Sequence, residues 1–341
     1  MLNVTLPNVT KIVSMDNNSA VRFFKFDRIN DFLRSISFEG ELYQLFRQGE
    51  FAFRGHASDK YRLVPSALRP EFKQRLNQFS LSGEYSERTN SEYFQIMKEY
   101  IILRDFYKYC DKRGLVIEDV DRIRKNYLNN AILEMMRIDE YWLPYDLWSL
   151  AALAQHYGLP TRLLDWTHDF YIALYFAVED FLENRKVPEG TDHIEIWALN
   201  IYDICSNYLN DFPLKLVHPI YYGNPNLEAQ QGLFTLWQIR KNFTHENKDG
   251  IVEMDLDSSV NSSPLDELLM EQKGLDSNRP LLSCIQLPIN SAKAIYKHIT
   301  SLGYNASRIY PGYQGVAKTL IHDYFLKEDL LKELPEVILF R

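Results

Sequence analysis

The segment His168–Leu182 is the sequence feature that most restricts what this chain can fold into. Alanine, leucine, valine and aromatic side chains follow one another along it with few polar interruptions. At helical spacing they leave no broad polar face, and a helix that is apolar nearly all round is buried. The segment therefore predicts a central helix that other layers of the structure must cover.

The pattern on either side of this helix predicts an α+β fold with a mixed or antiparallel sheet core. Helical spacing dominates the first half and short apolar runs dominate the second. Spacing from Ser91 to Arg137 predicts a helical insert, bounded at about 85–145, between two motif-bearing segments. We predict an amino-terminal arm over 1–27, one domain over 28–325 and a carboxy-terminal tail over 326–341. The predicted strands are Phe51–Gly55, Thr161–Asp165, Ile194–Leu199, Lys215–Tyr221, Gly250–Met254 and Leu281–Leu287.

Composition narrows the classes of protein to be considered. The chain has 341 residues, 46% of them hydrophobic, which is enough for a substantial core. Three widely spaced cysteines suit neither a disulfide framework nor a zinc knuckle, so no metal is predicted. The net charge of −8 gives no support to nucleic-acid binding by bulk charge. No apolar run is long enough to span a membrane and no secretory signal is evident, so a cytoplasmic location is expected.

Three ordered groups of residues together resemble the FRG domain family, which takes its name from an aromatic-Arg-Gly signature. The first group is Phe53-Arg54-Gly55 with the following Tyr61, Leu63 and Pro65. The second, and most specific, runs from Leu153 through Gly158-Leu159-Pro160 and Asp165-Trp166 to Ala177. The third comprises Gln230-Gln231-Gly232-Leu233-Phe234 and Tyr310-Pro311-Gly312. The resemblance implies a cytosolic bacterial or phage protein, but it names no reaction.

Arg54 is the first candidate site residue, because it stands where a strand meets Gly55. Glycine lets the backbone approach a ligand closely, and a guanidinium can hold a phosphate or carboxylate through two parallel hydrogen bonds. Ser58 could contribute to the same anion site. The alternative is a structural pair between Arg54 and Asp165 that ties two strands together.

His156, Arg162 and Asp165 lie close together in sequence and are predicted to surround one concavity. A histidine beside a carboxylate is suited to general-base catalysis, whereas a histidine satisfied within the core explains the pattern equally well.

Tyr171 and Tyr175, four residues apart on a helix, could stack on a base or nicotinamide ring, or could simply pack in the core.

Glu228 and Gln230 are the last candidates, at a loop before Gly232. The aromatic-Arg-Gly strand end also resembles the NAD-binding strand of arginine-class ADP-ribosyltransferases. That resemblance implies an enzyme that uses NAD as cofactor in a bacterial or phage defence or toxin setting. In such an enzyme Arg54 holds the pyrophosphate, and Glu228 or Gln230 activates an acceptor. The chain lacks the Ser-Thr-Ser strand and the late Glu-x-Glu loop of those enzymes.

Two further functional classes stay open at this point. One is a nucleotide or nucleic-acid processing enzyme, in which Arg54 and Arg162 hold phosphates and His156 moves a proton. The other is a sensing or interaction module without chemistry, whose motifs are the hydrogen-bonded framework of the fold. A small-molecule nucleotide, a protein partner and a second copy of the chain are all candidate partners.

Overall fold

A computed structural model describes residues 21–72, 91–128, 140–206, 212–241, 243–246, 252–254, 258–272, 275 and 280–333. The predicted loop at 73–90 and residues 1–20 of the predicted arm lie outside this part of the chain. Among the described residues, no helix combines the length and the apolar character needed to cross a membrane.

Within the part of the chain that the structure describes, seven strands form one mixed sheet in the order β1-β11-β5-β2-β4-β7-β6. In this sheet β1 pairs with β11 in parallel, and the other neighbouring strands pair antiparallel. Two pairs of short strands, β3 with β8 and β9 with β10, lie outside it. The strands are β1 (Val21–Lys25), β2 (Phe51–His56), β3 (Tyr141–Trp142), β4 (Leu163–Thr167), β5 (His193–Asn200), β6 (Leu214–Val217), β7 (Gly232–Trp237), β8 (Ile239–Arg240), β9 (Phe243–Glu246), β10 (Val252–Met254) and β11 (Leu282–Pro288).

Helices cover this sheet, and several lie between β2 and β4 as the predicted helical insert requires. They are α1 (Ile29–Ser35), α2 (Glu41–Phe46), α3 (Glu92–Lys112), α4 (Val120–Ile123), α5 (Trp148–His156), α6 (Phe170–Leu182), α7 (Ile201–Ser206), α8 (Pro225–Ala229), α9 (Leu265–Met270), α10 (Ala292–Ser301), α11 (Ala306–Ile309) and α12 (Tyr313–Glu333). The α+β fold class predicted from the sequence is confirmed.

The central helix predicted from the apolar segment is α6, and it begins at Phe170, two residues later than the sequence pattern suggested. The Asp169 carboxylate caps it by accepting hydrogen bonds from the backbone N–H groups of Tyr171 and Ile172. Side chains on every side of the helix are buried, including Ile172, Leu174 and Val178. These residues form the main core together with strands β2, β5 and β11.

A second core lies beside the first on the same face of the sheet. Phe53 of β2 pairs with Thr167 of β4, so side chains in register with those two residues share one face. On this face α6 packs near β2, while α5 and α3 pack on Leu163 and the neighbouring strand β7. The two cores therefore meet between α5 and α6.

The sequence placed Gln230 and Gln231 at a turn before Gly232, and none of the predicted strands covers the segment that follows. Gly232–Trp237 is a strand between β4 and β6. Gln231 supplies the turn before it, with a positive φ of 46°. The turn at Gly312, also at positive φ, leads directly into the long helix α12. That helix extends past residue 325, where a tail was predicted to start.

Candidate functional site

The sheet opens between β2 and β4. Every residue of β2 from Phe51 to His56 pairs with β5, whereas only Phe53 pairs with β4, opposite Thr167. Beyond that pair the two strands diverge, so backbone groups of β4 need other hydrogen-bond partners. The gap lies where the first core, which contains α6, meets the second core, which contains α5.

Arg54 spans this gap. Alternation along β2 places its side chain on the face opposite Phe53, and from there its Nη1 donates to the Asp165 backbone oxygen at 2.7 Å. The same nitrogen lies 2.7 Å from Asp165 Oδ1 in an ion pair. Nε donates to His56 Nε2 at 2.8 Å. The Arg54–Asp165 pair considered from the sequence is thus present, and it replaces strand pairing at the gap.

The Asp165 carboxylate is paired but still accessible. Arg54 is nearly buried, with 12% of its side chain exposed, whereas 61% of the Asp165 side chain is exposed. Desolvation by the surrounding protein raises the pKa of Asp165. The charge and hydrogen bond of Arg54, with a smaller contribution from Arg69, outweigh that effect and hold the pKa below its usual value. Asp165 is therefore an ionised carboxylate that a ligand can reach.

Asp165 faces a pocket of about 390 Å³, within the size range of small-molecule sites. Residues from both cores and from the turn before β7 enclose it, so the pocket combines charged, amide and aromatic groups. Its lining consists of Phe53, Arg54, Gly55, Gln155, His156, Asp165, Trp166, Thr167, Phe176, Leu227, Gln230, Gly232 and Phe234.

Gly55 lines the pocket, and its lack of a side chain has a structural cause. A Cβ added there would lie 2.0 Å from the Ala173 carbonyl oxygen and 2.6 Å from the Ala177 nitrogen. Both are backbone atoms of α6, which cannot rotate away as a side chain can. Gly55 thus allows α6 to approach β2 closely, rather than serving mainly for the approach of a ligand.

Two amides and one imidazole complete the polar part of the lining. Thr161 donates to Gln155 Oε1, which turns Gln155 Nε2 toward Asp165 Oδ1 at 3.4 Å. Gln230 Nε2 donates to the Ile309 carbonyl at 3.4 Å, which leaves its Oε1 available as an acceptor. Burial lowers the pKa of His156, so this imidazole is neutral at pH 7.

The prediction that Arg162 lies around the same concavity as His156 and Asp165 is wrong, because Arg162 does not line the pocket. Its side chain is 3% exposed and its Nε donates to both carboxylate oxygens of Glu99, at 2.9 and 2.8 Å. A second ion pair joins it to Glu92. Burial lowers the pKa of Arg162, but the two glutamates outweigh this and raise it. Arg162 is a core ion-pair residue that holds α3 to β4.

Ser58 and Tyr175 are also placed away from the pocket. Ser58 is fully buried and bonded to Thr191 at 2.7 Å, so it is not available to an anion beside Arg54. Tyr175 is fully buried within the α6 core, which leaves no face for a stacked ring. The expectation that these two side chains contact a ligand is therefore corrected.

Tyr171 and Glu228 do not line the pocket either. The Tyr171 ring packs on that of Tyr304 with centroids 5.1 Å apart. Glu228 lies on α8, next to the lining residue Leu227, and is exposed. Of the residues predicted from the sequence, Arg54, Gly55, His156, Asp165 and Gln230 are brought together at one place.

Three residues near the pocket were not predicted. Gln155 adjoins His156 in sequence, and His56 follows the Phe-Arg-Gly run directly, two positions from Arg54 along the strand. That spacing places His56 and Arg54 on the same face, which was the available signal. Arg69 is brought close enough to affect the Asp165 pKa by the short helical turn Ser66–Leu68.

Residues 49–186 fit the model of the FRG domain. This range contains β2, the helical insert, α5, β4 and α6, and so includes Arg54, His156 and Asp165. No curated protein and no solved structure matches the chain significantly.

Proposed function

From the premise that residues 49–186 of this chain are an FRG domain, we propose that the Arg54–Asp165 pocket binds the ribosyl part of a nucleotide such as NAD. The proposed reaction is cleavage of the N-glycosidic bond, with transfer of ADP-ribose to an acceptor or to water. One observation carries this proposal: the Asp165 carboxylate is paired with Arg54 and still 61% exposed to a pocket with aromatic lining.

An ionised carboxylate accepts hydrogen bonds, and ribose offers hydroxyl donors. Phe176 and Phe234 provide apolar surface for a flat ring, and Gln230 Oε1 provides a further acceptor. In the pocket, Arg54 Nη1 already contacts Asp165, and Arg54 Nε already donates to His56. The pocket lining is thus better suited to a ligand rich in donors than to an isolated phosphate.

The chemistry needs a group that stabilises positive charge. When the bond between ribose C1′ and the nicotinamide nitrogen breaks, both electrons leave with the ring and the sugar becomes an oxocarbenium cation. A nearby ionised Asp165 stabilises that cation, because a fixed charge in a partly desolvated site needs little reorganisation. Water or an acceptor then bonds to C1′ and loses a proton, for which neutral His156 is the available base.

Phosphate handling, the second class considered from the sequence, receives less support. It required Arg54 and Arg162 to act together, but Arg162 is enclosed by Glu99 and Glu92.

A binding module without chemistry differs from the proposed enzyme in one measurable respect. Such a module would bind the nucleotide and leave it intact.

The test is release of nicotinamide from NAD by the purified chain, followed by chromatography. Asp165→Asn keeps the shape and removes the charge, so we expect the rate to fall by at least about 100-fold. Asp27→Asn is the matched control, because Asp27 is exposed and does not line the pocket. No release by the unaltered protein, with or without added acceptor protein, would refute the enzymatic proposal.

A further inference from the structure

Arg54 can present its guanidinium to Asp165 only if the orientation of the whole planar group is fixed. A guanidinium carries its donors in a rigid fork, so a bond at Nε determines where the Nη groups point. Here Nε is bonded to His56 Nε2 at 2.8 Å, and Nη1 reaches Asp165 from the other side. His56 and Asp165 thus hold opposite sides of the same fork.

His56 is suited to accept this bond because its ring is neutral. The side chain is 5% exposed. Burial, followed by the positive charges of Arg54 and Arg69, lowers the pKa of His56 well below its ordinary value; Asp165 and the Tyr61 backbone act weakly in the opposite direction. A neutral imidazole that accepts at Nε2 carries its proton on Nδ1. A protonated ring could not accept from Arg54.

The two oxygens of Asp165 are consequently not equivalent. Oδ1 lies against Arg54 Nη1 at 2.7 Å and Gln155 Nε2 at 3.4 Å. With the donors on Oδ1 fixed, Oδ2 is the oxygen left to face a ligand. The orientation of the carboxylate therefore depends on a chain of contacts that begins outside the pocket.

We propose that His56 is a positioning residue of this site, which fixes the Arg54 fork and thereby the ionised carboxylate of Asp165. Under this proposal the functional run of β2 extends from Phe53-Arg54-Gly55 to His56. His56 itself does not line the pocket. What the pocket binds rests on the proposed function, whereas the His56 contact can be tested with no ligand present.

The test compares His56→Gln with His56→Phe. Glutamine places an amide oxygen near the position of Nε2 and can still accept from Arg54 Nε, whereas phenylalanine keeps the ring and loses the acceptor. The readout is the midpoint of the pH titration of the Asp165 carboxyl ¹³C signal, assigned with Asp165→Asn. The midpoint should be the same in the unaltered protein and in the glutamine variant. It should lie at a higher pH in the phenylalanine variant.

A folded phenylalanine variant in which the midpoint of the Asp165 titration does not rise would overturn the proposal. If that variant does not fold, the glutamine variant decides alone, because a raised Asp165 titration despite the retained acceptor would also overturn it. A second readout is binding of ADP-ribose, which should weaken about 10-fold in the phenylalanine variant and stay unchanged in the glutamine variant. Absence of ADP-ribose binding in every protein would refute the proposed function and leave the carboxyl titration valid.

Discussion

Gly55→Ala is expected to destabilise the protein by about 3 kcal/mol or more, at the upper end of the cost of overpacking a core. The new methyl group would lie 2.0 Å from the Ala173 carbonyl oxygen and 2.9 Å from the Ala177 Cβ. Relief requires α6 to move away from β2, which disturbs the largest core. Urea unfolding gives the free energy change directly.

Gly49→Ala is the matched control for this prediction. A Cβ at position 49 would meet the Phe51 ring at 3.2 Å, and a ring edge can shift whereas a helix backbone cannot. We expect a change below about 1 kcal/mol there. Equal stability of the Gly55 variant and the unaltered protein would show that α6 does not approach β2 as described.

Arg162→Met is expected to cost about 3–5 kcal/mol, because it leaves a buried carboxylate without its cation. Glu99 is 4% exposed and also accepts hydrogen bonds from Trp142 and Gln95. Those neutral donors remain after the substitution, but they cannot replace the charge of Arg162. The free energy of unfolding again measures the loss.

The same substitution at Arg28 provides the control, since Arg28 is 76% exposed in a surface pair with Asp31. Its removal should change stability by less than about 1 kcal/mol. Adding Glu99→Gln to Arg162→Met should recover part of the loss, because it removes the uncompensated charge. A double variant less stable than Arg162→Met alone would contradict this account of the pair.

Local pattern was sufficient to predict the elements whose own residues enforce burial. Helix α6 and strands β5 and β11 lie close to the predicted positions, because long apolar runs allow few alternatives. Strand β7 was not predicted, because Gln230 and Gln231 before Gly232 were interpreted as a turn and no strand was assigned after that turn. A glycine at the start of a strand differs from one in a turn only through its tertiary neighbours.

The composition of the site was less predictable from the sequence than the fold. Arg162 and Asp165 were grouped by proximity, yet residues an odd number apart on an extended segment point to opposite faces. Alternation alone could have separated them. The divergence of β2 from β4 had no local signal, because it depends on how α5 and α6 pack beside the gap.

The Arg54–Asp165 pair shows why one contact supports both a structural and a functional interpretation. Arg54 replaces a missing strand contact through the Asp165 backbone oxygen. Its charge also keeps the accessible Asp165 carboxylate ionised at the pocket. Loss of Arg54 would affect both roles, so substitutions of Asp165 separate them better.

Calorimetric titration of ADP-ribose into the unaltered protein and into Asp165→Asn tests the central claim most directly. We predict one site per chain in the unaltered protein and an affinity at least about 10-fold lower in the variant, a difference of about 1.4 kcal/mol. Equal affinity in the two proteins, or no binding to the unaltered one, would contradict the assignment of Asp165 to a ribosyl-binding pocket.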